Sequence, residues 1–481
     1  MTTIKLDPGA ALLLDALHGA GHAAYAVGGC VRDSLLGLDP HDWDLCTSAR
    51  PEQVMALFGE EKCIPTGLQH GTVTVKQGGR LYETTTFRTE GAYSDGRHPD
   101  AVCFVPDVRE DLARRDFTIN AMAYSAEEGL IDPFGGRDDL AAHLVRAVGE
   151  PERRFEEDAL RILRLYRFAA RFGFAIDPAT GAAARALGPH LDCVSAERIQ
   201  EELLKLLAAP RPGSYLEPAV LAVILPELET EKQPEQFAEL CRTIDRIEPT
   251  AENVPARLAA LLCPLGEAGA RKALRKLKCS NALTDEVTAL VGGSVGSFLL
   301  GHEFELRHPA DALCLERHSH PAGRCPNSNS LFPPQAAVVA VAGHSIARPI
   351  ACGNRVPPQR TVLGETPGTP NTTLIVQAKR LLGRYELPTI QRLTALCSAR
   401  HPEQTGAFAA LRAEAEQLTA ENACCRVSQL AVNGRDLMAA GVRPGPGLRQ
   451  VLNALLEAVI TGQTPNEKDA LLAAAAQFSA S

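Results

Sequence analysis

Two carboxylates, Asp42 and Asp44, stand one residue apart in the segment YAVGGCVRDSLLGLDPHDWDLC (25–46). Just upstream an apolar run ends in Gly28 and Gly29, and the charged pair Arg32 and Asp33 follows. Paired glycines let backbone approach a phosphate closely. If 43–47 is a strand, period two puts Asp42 and Asp44 on one face. Two acids on one face beside such a turn suit a divalent cation engaged in phosphoryl or nucleotidyl transfer. A D-x-D pair alone is also common on solvated turns, so a third acid is needed. Glu83, in YETTTFR, supplies one if an antiparallel neighbour carries it beside the pair.

Two further clusters carry chemistry. In RRDFTINAMAYS (114–125), Arg115 can neutralise phosphate charge and Asn120 can hold sugar or phosphate. Asp116 reads equally as a helix N-cap with Arg115 as its ion-pair partner. In EEDALRILRLYR, Asp158 and Arg161 are three apart, hence on one helix face. An ordinary surface ion pair is the plain reading. The sharper one is base recognition. A carboxylate that accepts from an exocyclic amine, beside a guanidinium that donates to a ring nitrogen, matches cytosine and adenine. Guanine and uracil present a carbonyl where the amine should be. Arg164 and Arg167 continue at helical spacing toward the same side.

The elements that must position these groups can be read from pattern. An opening amphipathic helix precedes strands at 23–27 and 43–47, with a helical turn at 31–36 and a helix at 51–58. Strands at 71–76 and 81–88 meet at Gly78-Gly79, a hairpin signal. Residues 89–100 read as a polar loop, 101–105 as a strand, and 116–125 as a helix. From about 151 the period becomes helical, with Leu160, Leu163, Phe168 and Phe172 on one stripe. The fold class is therefore α+β: a mixed-sheet head followed by an all-helical remainder. The divisions are 1–150, 151–215, 216–300, 301–375 and 376–481.

Residues 301–375 stand apart, with ten of the chain's 33 prolines, no lysine and no sustained period. A disordered insertion, an irregular lobe and a translated frameshift all fit that pattern. Cys314, His318, His320 and Cys325 cluster there, but their spacing matches no regular zinc finger.

Bulk composition excludes some classes. The 481-residue chain carries a net charge of −9, which argues against a basic coat over the whole surface. Its 14 cysteines have no regular spacing, and the N-terminus reads as a helix rather than a signal peptide. Free thiols in a cytoplasmic protein are the simplest account. No apolar run is long enough to span a bilayer.

In order along the chain come GGCVRD with DWD, TGLQHGTVTV with YETTTFR, RRDFTINAMAY, DPFGGRDDL, EDALRILR and ERIQEEL. This series resembles the bacterial CCA-adding enzymes, class II tRNA nucleotidyltransferases of the polymerase-beta-like superfamily. The likeness runs over about residues 20–210, with a weaker match at LAVNGRDLMAAGVRPGPG (430–447). There Arg449 stands near a position where the family usually has glycine. The resemblance implies a nucleotidyltransferase head, then helical neck, body and tail. It implies Mg²⁺ on Asp42 and Asp44, with Glu83 as the third catalytic acid. Gly28, Gly29, Arg32, Asp33, Arg115, Asp116 and Asn120 would bind nucleotide. So would Asp158, Arg161, Arg164 and Arg167, the first two selecting CTP and then ATP. Glu197 and Arg198 would brace the neck. The helices beyond, including the basic run RKALRKLK (271–278), would hold the acceptor stem and elbow of tRNA. The alternatives are a bacterial poly(A) polymerase, an enzyme adding only CC or only A, and an RNA-binding protein with an inactive head.

Overall fold

The structure is a computed structural model, and it describes residues 3–91, 102–295 and 372–478. Most of the loop expected at 89–100 lies outside them. So does nearly all of 301–375, with its Cys314, His318, His320 and Cys325 group.

The head is a mixed sheet with helices laid against it. Its helices are α1 (Pro8–Gly19), α2 (Gly29–Leu35), α3 (Pro51–Phe58), α4 (Val108–Ala113) and α5 (Gly136–Ala141). Its first strands are β1 (Ala24–Val27), β2 (Leu45–Thr47), β3 (Cys63–Gly67), β4 (Thr72–Gln77) and β5 (Arg80–Thr86). A separate antiparallel pair, β6 (Arg88–Glu90) and β7 (Val102–Phe104), follows. β8 (Ala123–Ser125) and β9 (Gly129–Ile131) complete the sheet. Its order is β3-β4-β5-β2-β1-β8-β9. Every neighbouring pair is antiparallel except β2 and β5, which run parallel.

Local chemistry explains most of these elements. β1 reads AYAV and is buried along its length, as a central strand covered on both faces should be. Gly78 and Gly79 both take positive φ, 58° and 81°, which a two-residue hairpin turn demands. One expectation fails. Residues 116–125 do not form a helix; a single 3₁₀ turn, Thr118–Asn120, leads into β8. Ala123 pairs with Val27 and Tyr124 with Ala26, and both residues are buried. Sheet burial overrides a helical pattern here.

Beyond residue 150 the described chain is helical, apart from one short strand that pairs parallel with the end of the head. That pairing joins β10 (Leu144–Val145) to β11 (Ala175–Ile176). The helices are α6 (Pro151–Glu157), α7 (Leu160–Phe172), α8 (Pro178–Ala186), α9 (Ala196–Leu207) and α10 (Pro218–Ile224). Then come α11 (Pro234–Arg246), α12 (Val254–Leu262), α13 (Gly266–Lys276) and α14 (Asn281–Val295). After the undescribed stretch follow α15 (Thr372–Arg384), α16 (Leu387–Arg400) and α17 (Thr405–Ala420). The chain ends in α18 (Gly434–Ala439), α19 (Pro446–Ile460) and α20 (Lys468–Phe478) around a core that includes Leu437, Leu455 and Leu471. Leu160, Leu163 and Phe168 are buried as their spacing required.

A buried arginine locks α9 to α12. Arg257 has no exposed surface. It donates to the carbonyls of Leu207 at 2.7 Å, Ala209 at 2.5 Å, and Ile247 at 2.6 and 3.1 Å. Leu207 and Ala209 lie at the C-terminal end of α9, where carbonyls lack intrahelical partners and the dipole favours a cation. Arg257→Leu leaves several buried acceptors unpaired. We expect it to cost about 3 kcal/mol or more in urea unfolding, with Arg257→Lys recovering only part of the loss.

Candidate active site

The acids gather where β2 begins. The strand was expected from residue 43 and starts at Leu45, so Asp42 and Asp44 precede it. The carbonyl of Asp44 still accepts the Val27 amide at 2.9 Å, which holds this lead-in against β1. Alternation extends outward from the strand. Asp42 and Asp44 are exposed, while Trp43 between them is buried. Glu83 reaches the pair through a parallel neighbour, not the antiparallel one expected. Leu45 lies opposite Thr84, and one step back along both strands sets Asp44 level with Glu83.

Electrostatics reports the same gathering. Asp44 reaches solvent, but the surrounding walls are dense. Desolvation and then repulsion from Glu83 push its carboxyl up to about 6, against a pull from Arg115 and with added repulsion from Asp42. The donors are hard carboxylate oxygens with uncompensated negative charge, which fits Mg²⁺. Among the described residues, no three His, Cys, Asp or Glu side chains form a ligating group.

Above the acids lies the glycine turn. Gly28 has φ 78°, which favours glycine, and its amide donates to the Met122 carbonyl at 3.1 Å. A β-carbon on Gly28 would stand 2.9 Å from Arg115 Nη1. One on Gly29 would stand 3.5 Å from Arg32 Nη2. The Arg115 Nη2 donates to Asp111 at 3.5 Å, while its buried Nε has no hydrogen-bond partner among the described residues. Asp111 is fully buried and also holds Arg114 at 2.9 Å. Sequence reading missed Asp111, although its i,i+3 and i,i+4 spacing to Arg114 and Arg115 was visible.

The remaining nucleotide-binding candidates form one network. Arg32 is 4% exposed and donates to Asp33 at 2.7 Å and to Asn120 Oδ1. The second oxygen of Asp33 accepts from Arg171 at 3.1 Å, so this carboxylate is committed to two arginines. Asn120 in turn donates to Asp116 Oδ1 at 3.0 Å. Asp116 Oδ2 receives Arg164 Nε at 2.8 Å and Nη2 at 2.6 Å. Burial opposes charge on Asp116, but Arg164, Asn120 and Arg161 outweigh it and hold the carboxyl well below the usual range. Arg167 forms an ion pair with Glu202 at 2.6 Å.

The pair Asp158 and Arg161 is arranged differently from expectation. Asp158 is not on a helix with Arg161. It sits extended, φ −148° and ψ 103°, at the break between α6 and α7. Its Oδ1 accepts the Leu160 amide at 3.1 Å, so the residue caps α7 rather than continuing α6. Its Oδ2 accepts from Arg198 at 2.8 Å. The brace expected of Arg198 thus reaches Asp158, whereas Glu197 pairs with Lys278 at 2.7 Å. Arg161 is held by Glu157 at 2.7 Å and by the carbonyls of Arg154 at 3.1 Å and Arg114 at 3.0 Å. Both remain within electrostatic reach of the network. Arg161 helps hold Asp116 down, and Asp158 helps hold Arg164 up against burial.

The raised Asp44 carboxyl has a consequence for stability. Below 3.8, its ordinary value, folded and unfolded forms are both protonated and the group contributes nothing. Between 3.8 and about 6 the unfolded chain ionises first, and above that the folded state bears the full cost of the charge. Asp44→Asn should therefore melt at a higher temperature than the parent protein at pH 7.5. The difference should shrink as pH falls through this window and vanish well below 3.8 in thermal melts.

Comparison with known proteins places this geometry. The family model described as the poly A polymerase head domain matches residues 24–146. Models described as a probable RNA- and SrmB-binding site of polymerase A and as a putative tRNA nucleotidyltransferase domain 2 match 173–231 and 387–475. A CCA-adding enzyme of Leuconostoc citreum is 45% identical over 257 residues, covering 53% of this chain and 63% of that protein. The Limosilactobacillus fermentum CCA-adding enzyme is 33% identical over 471 residues, covering 97% of this chain and 96% of the relative. The crystal structure of the Bacillus stearothermophilus CCA-adding enzyme in complex with CTP aligns with a TM-score of 0.70 at 30% identity, covering 98% of both chains. With its mixed-sheet head, its helical remainder and an identity sustained along nearly the whole of both chains, this protein belongs to the CCA-adding enzyme family of tRNA nucleotidyltransferases.

Proposed function

We propose that this chain adds CCA to the 3′ end of tRNA, using CTP and ATP and releasing pyrophosphate. One observation carries the reading. The acids around Asp44 and the pair Asp158 and Arg161 stand at two ends of a single charged network. It runs through Arg115, the Gly28 turn, Arg32, Asn120, Asp116 and Arg164. A nucleotide laid along that network has its phosphates near the glycine turn and its base near Asp158.

Each end has a stated task. Gly28 and Gly29 admit the triphosphate, and Arg115, whose Nη1 lies against Gly28, supplies positive charge there. Asp158 accepts from the amine of cytosine or adenine while Arg161 donates to the adjacent ring nitrogen. Arg198 and Glu157 fix those two side chains in advance, so little ordering remains for the nucleotide to supply. Asp33 and Asp116 serve by holding Arg32 and Arg164. Asp42, Asp44 and Glu83 are the residues that would hold Mg²⁺, which when bound neutralises triphosphate charge and lowers the pKa of the attacking 3′-hydroxyl. That hydroxyl attacks the α-phosphate, and pyrophosphate leaves.

The division of labour follows the chain. A head over 1–150 does the chemistry, and a neck over 151–215 reads the base. A body over 216–300 and a tail over 376–481 grip tRNA through its phosphates, the segment 301–375 lying between them. Lys272, Arg275 and Lys276 on α13 are exposed and suit such contacts. We place the protein in the cytoplasm, where the free thiols of Cys30, Cys46 and Cys63 would persist. No described helix is long and apolar enough to cross a membrane.

Supplied with tRNA lacking its 3′ end, Mg²⁺ and all four nucleotides, the purified protein should add two C and then one A. A long A tract would mark a poly(A) polymerase instead, and addition that stops at CC or starts only from CC a partial enzyme. Asp42→Ala and Asp44→Ala should abolish incorporation while tRNA binding in a filter assay stays unchanged. Asp158→Ala should lower incorporation of C and A relative to U by about 10- to 100-fold, the value of one good bidentate base contact. Comparable U or G incorporation by the parent protein would refute the base-reading role.

A further inference from the structure

Phe168 sits among three cations. The guanidinium carbons of Arg167, Arg32 and Arg164 lie 4.1, 5.3 and 5.4 Å from its ring centroid. The residue is 4% exposed, and Phe117 meets the ring nearly edge-on at 5.8 Å, which fixes its plane. Helical spacing accounts for part of the cluster, because 164, 167 and 168 share one face of α7. Arg32 arrives from α2 in the head. Three like charges this close repel strongly where water is scarce. Asp116, Glu202 and Asp33 each neutralise one from the outside. The ring face supplies negative potential between them.

We propose that Phe168 is a positioning residue for nucleotide addition, holding Arg164 and the Arg32-backed glycine turn in the arrangement that receives the triphosphate. This rests on the functional reading above, which puts the triphosphate at that turn. The ring acts at two points. Arg164 is the open member, its side chain 34% exposed against 4% for Arg32 and 13% for Arg167. Arg32 lies directly beneath Gly29. Phe172 also faces Arg32, at 4.9 Å, so an aliphatic side chain at 168 would fill the same space but halve the aromatic contact of Arg32 and remove that of Arg164. Asp158 and Arg161 make none of these ring contacts, so the effect falls on affinity for both nucleotides and not on the choice between them.

The test compares Phe168→Leu with Phe168→Tyr, and uses Phe117→Leu as a control for core packing. Equilibrium titration gives Kd for CTP and ATP, and steady-state assays give kcat and the KM of nucleotide and of tRNA. Phe168→Leu should raise Kd and KM for both nucleotides by about tenfold, the scale of a desolvated cation–π contact, with kcat and the tRNA KM within about twofold. Phe168→Tyr, which keeps the ring, should match the parent. An unchanged nucleotide Kd in Phe168→Leu overturns the proposal, and so does an equal rise in Phe117→Leu. If Phe168→Leu does not fold, progressively fluorinated phenylalanines at 168 keep the shape while weakening the ring face. Affinity should then fall stepwise, and a flat series overturns the proposal. A parent protein that binds both nucleotides yet adds neither to tRNA sinks the functional reading instead, leaving the binding comparison to judge Phe168.

Discussion

One buried carboxylate carries the geometry of this site. Asp116 accepts from its own chain at Phe117, from Asn120 in the head, and twice from Arg164 on α7. A carboxylate at 8% exposure survives only when its oxygens are saturated, and these four donors do that. The consequence is mechanical. Asn120 passes the constraint to Arg32 beneath the glycine turn, while Arg164 passes it to the helix whose start is capped by Asp158. The two ends proposed for phosphate and for base are therefore set by the same ion. Asp33, bridging Arg32 and Arg171, repeats the device about two turns further along α7.

What the sequence disclosed follows from how local each feature is. The Gly28 turn, the Asp42 and Asp44 alternation and the Gly78-Gly79 hairpin depend on a few adjacent residues, and each was legible. The partner of β2 was not, because nothing in LCT or in YETTT states whether the two strands meet parallel or antiparallel. Burial of β8 was hidden for a related reason. FTINAMAY is apolar without a clean period, and only its place beside β1 decides between helix and strand. The break at Asp158 was nearly visible. An aspartate between two helical runs is a natural N-cap, but the helical period on either side is good enough to conceal it. Glu157 and Asp111 stand at i,i+4 spacing from Arg161 and Arg115, so their pairing was open to reading in the sequence. Glu202 is far from Arg167 in sequence, and only tertiary packing brings it there.

The charge distribution explains how an acidic chain can serve a polyanionic substrate. Net charge is −9, yet four guanidiniums in the site, Arg32, Arg164, Arg167 and Arg171, share three carboxylates, Asp33, Asp116 and Glu202. A few residues away the balance reverses, with Asp44 raised by its acidic neighbours. Field at a cleft depends on such local excess rather than on the sum over the chain. The fold alone leaves both regions out of balance, one short of anion and one short of cation. A triphosphate carrying a divalent ion corrects both at once, whereas phosphate or cation alone corrects one. On the proposed function, affinity for the pair would then exceed what either partner gains separately.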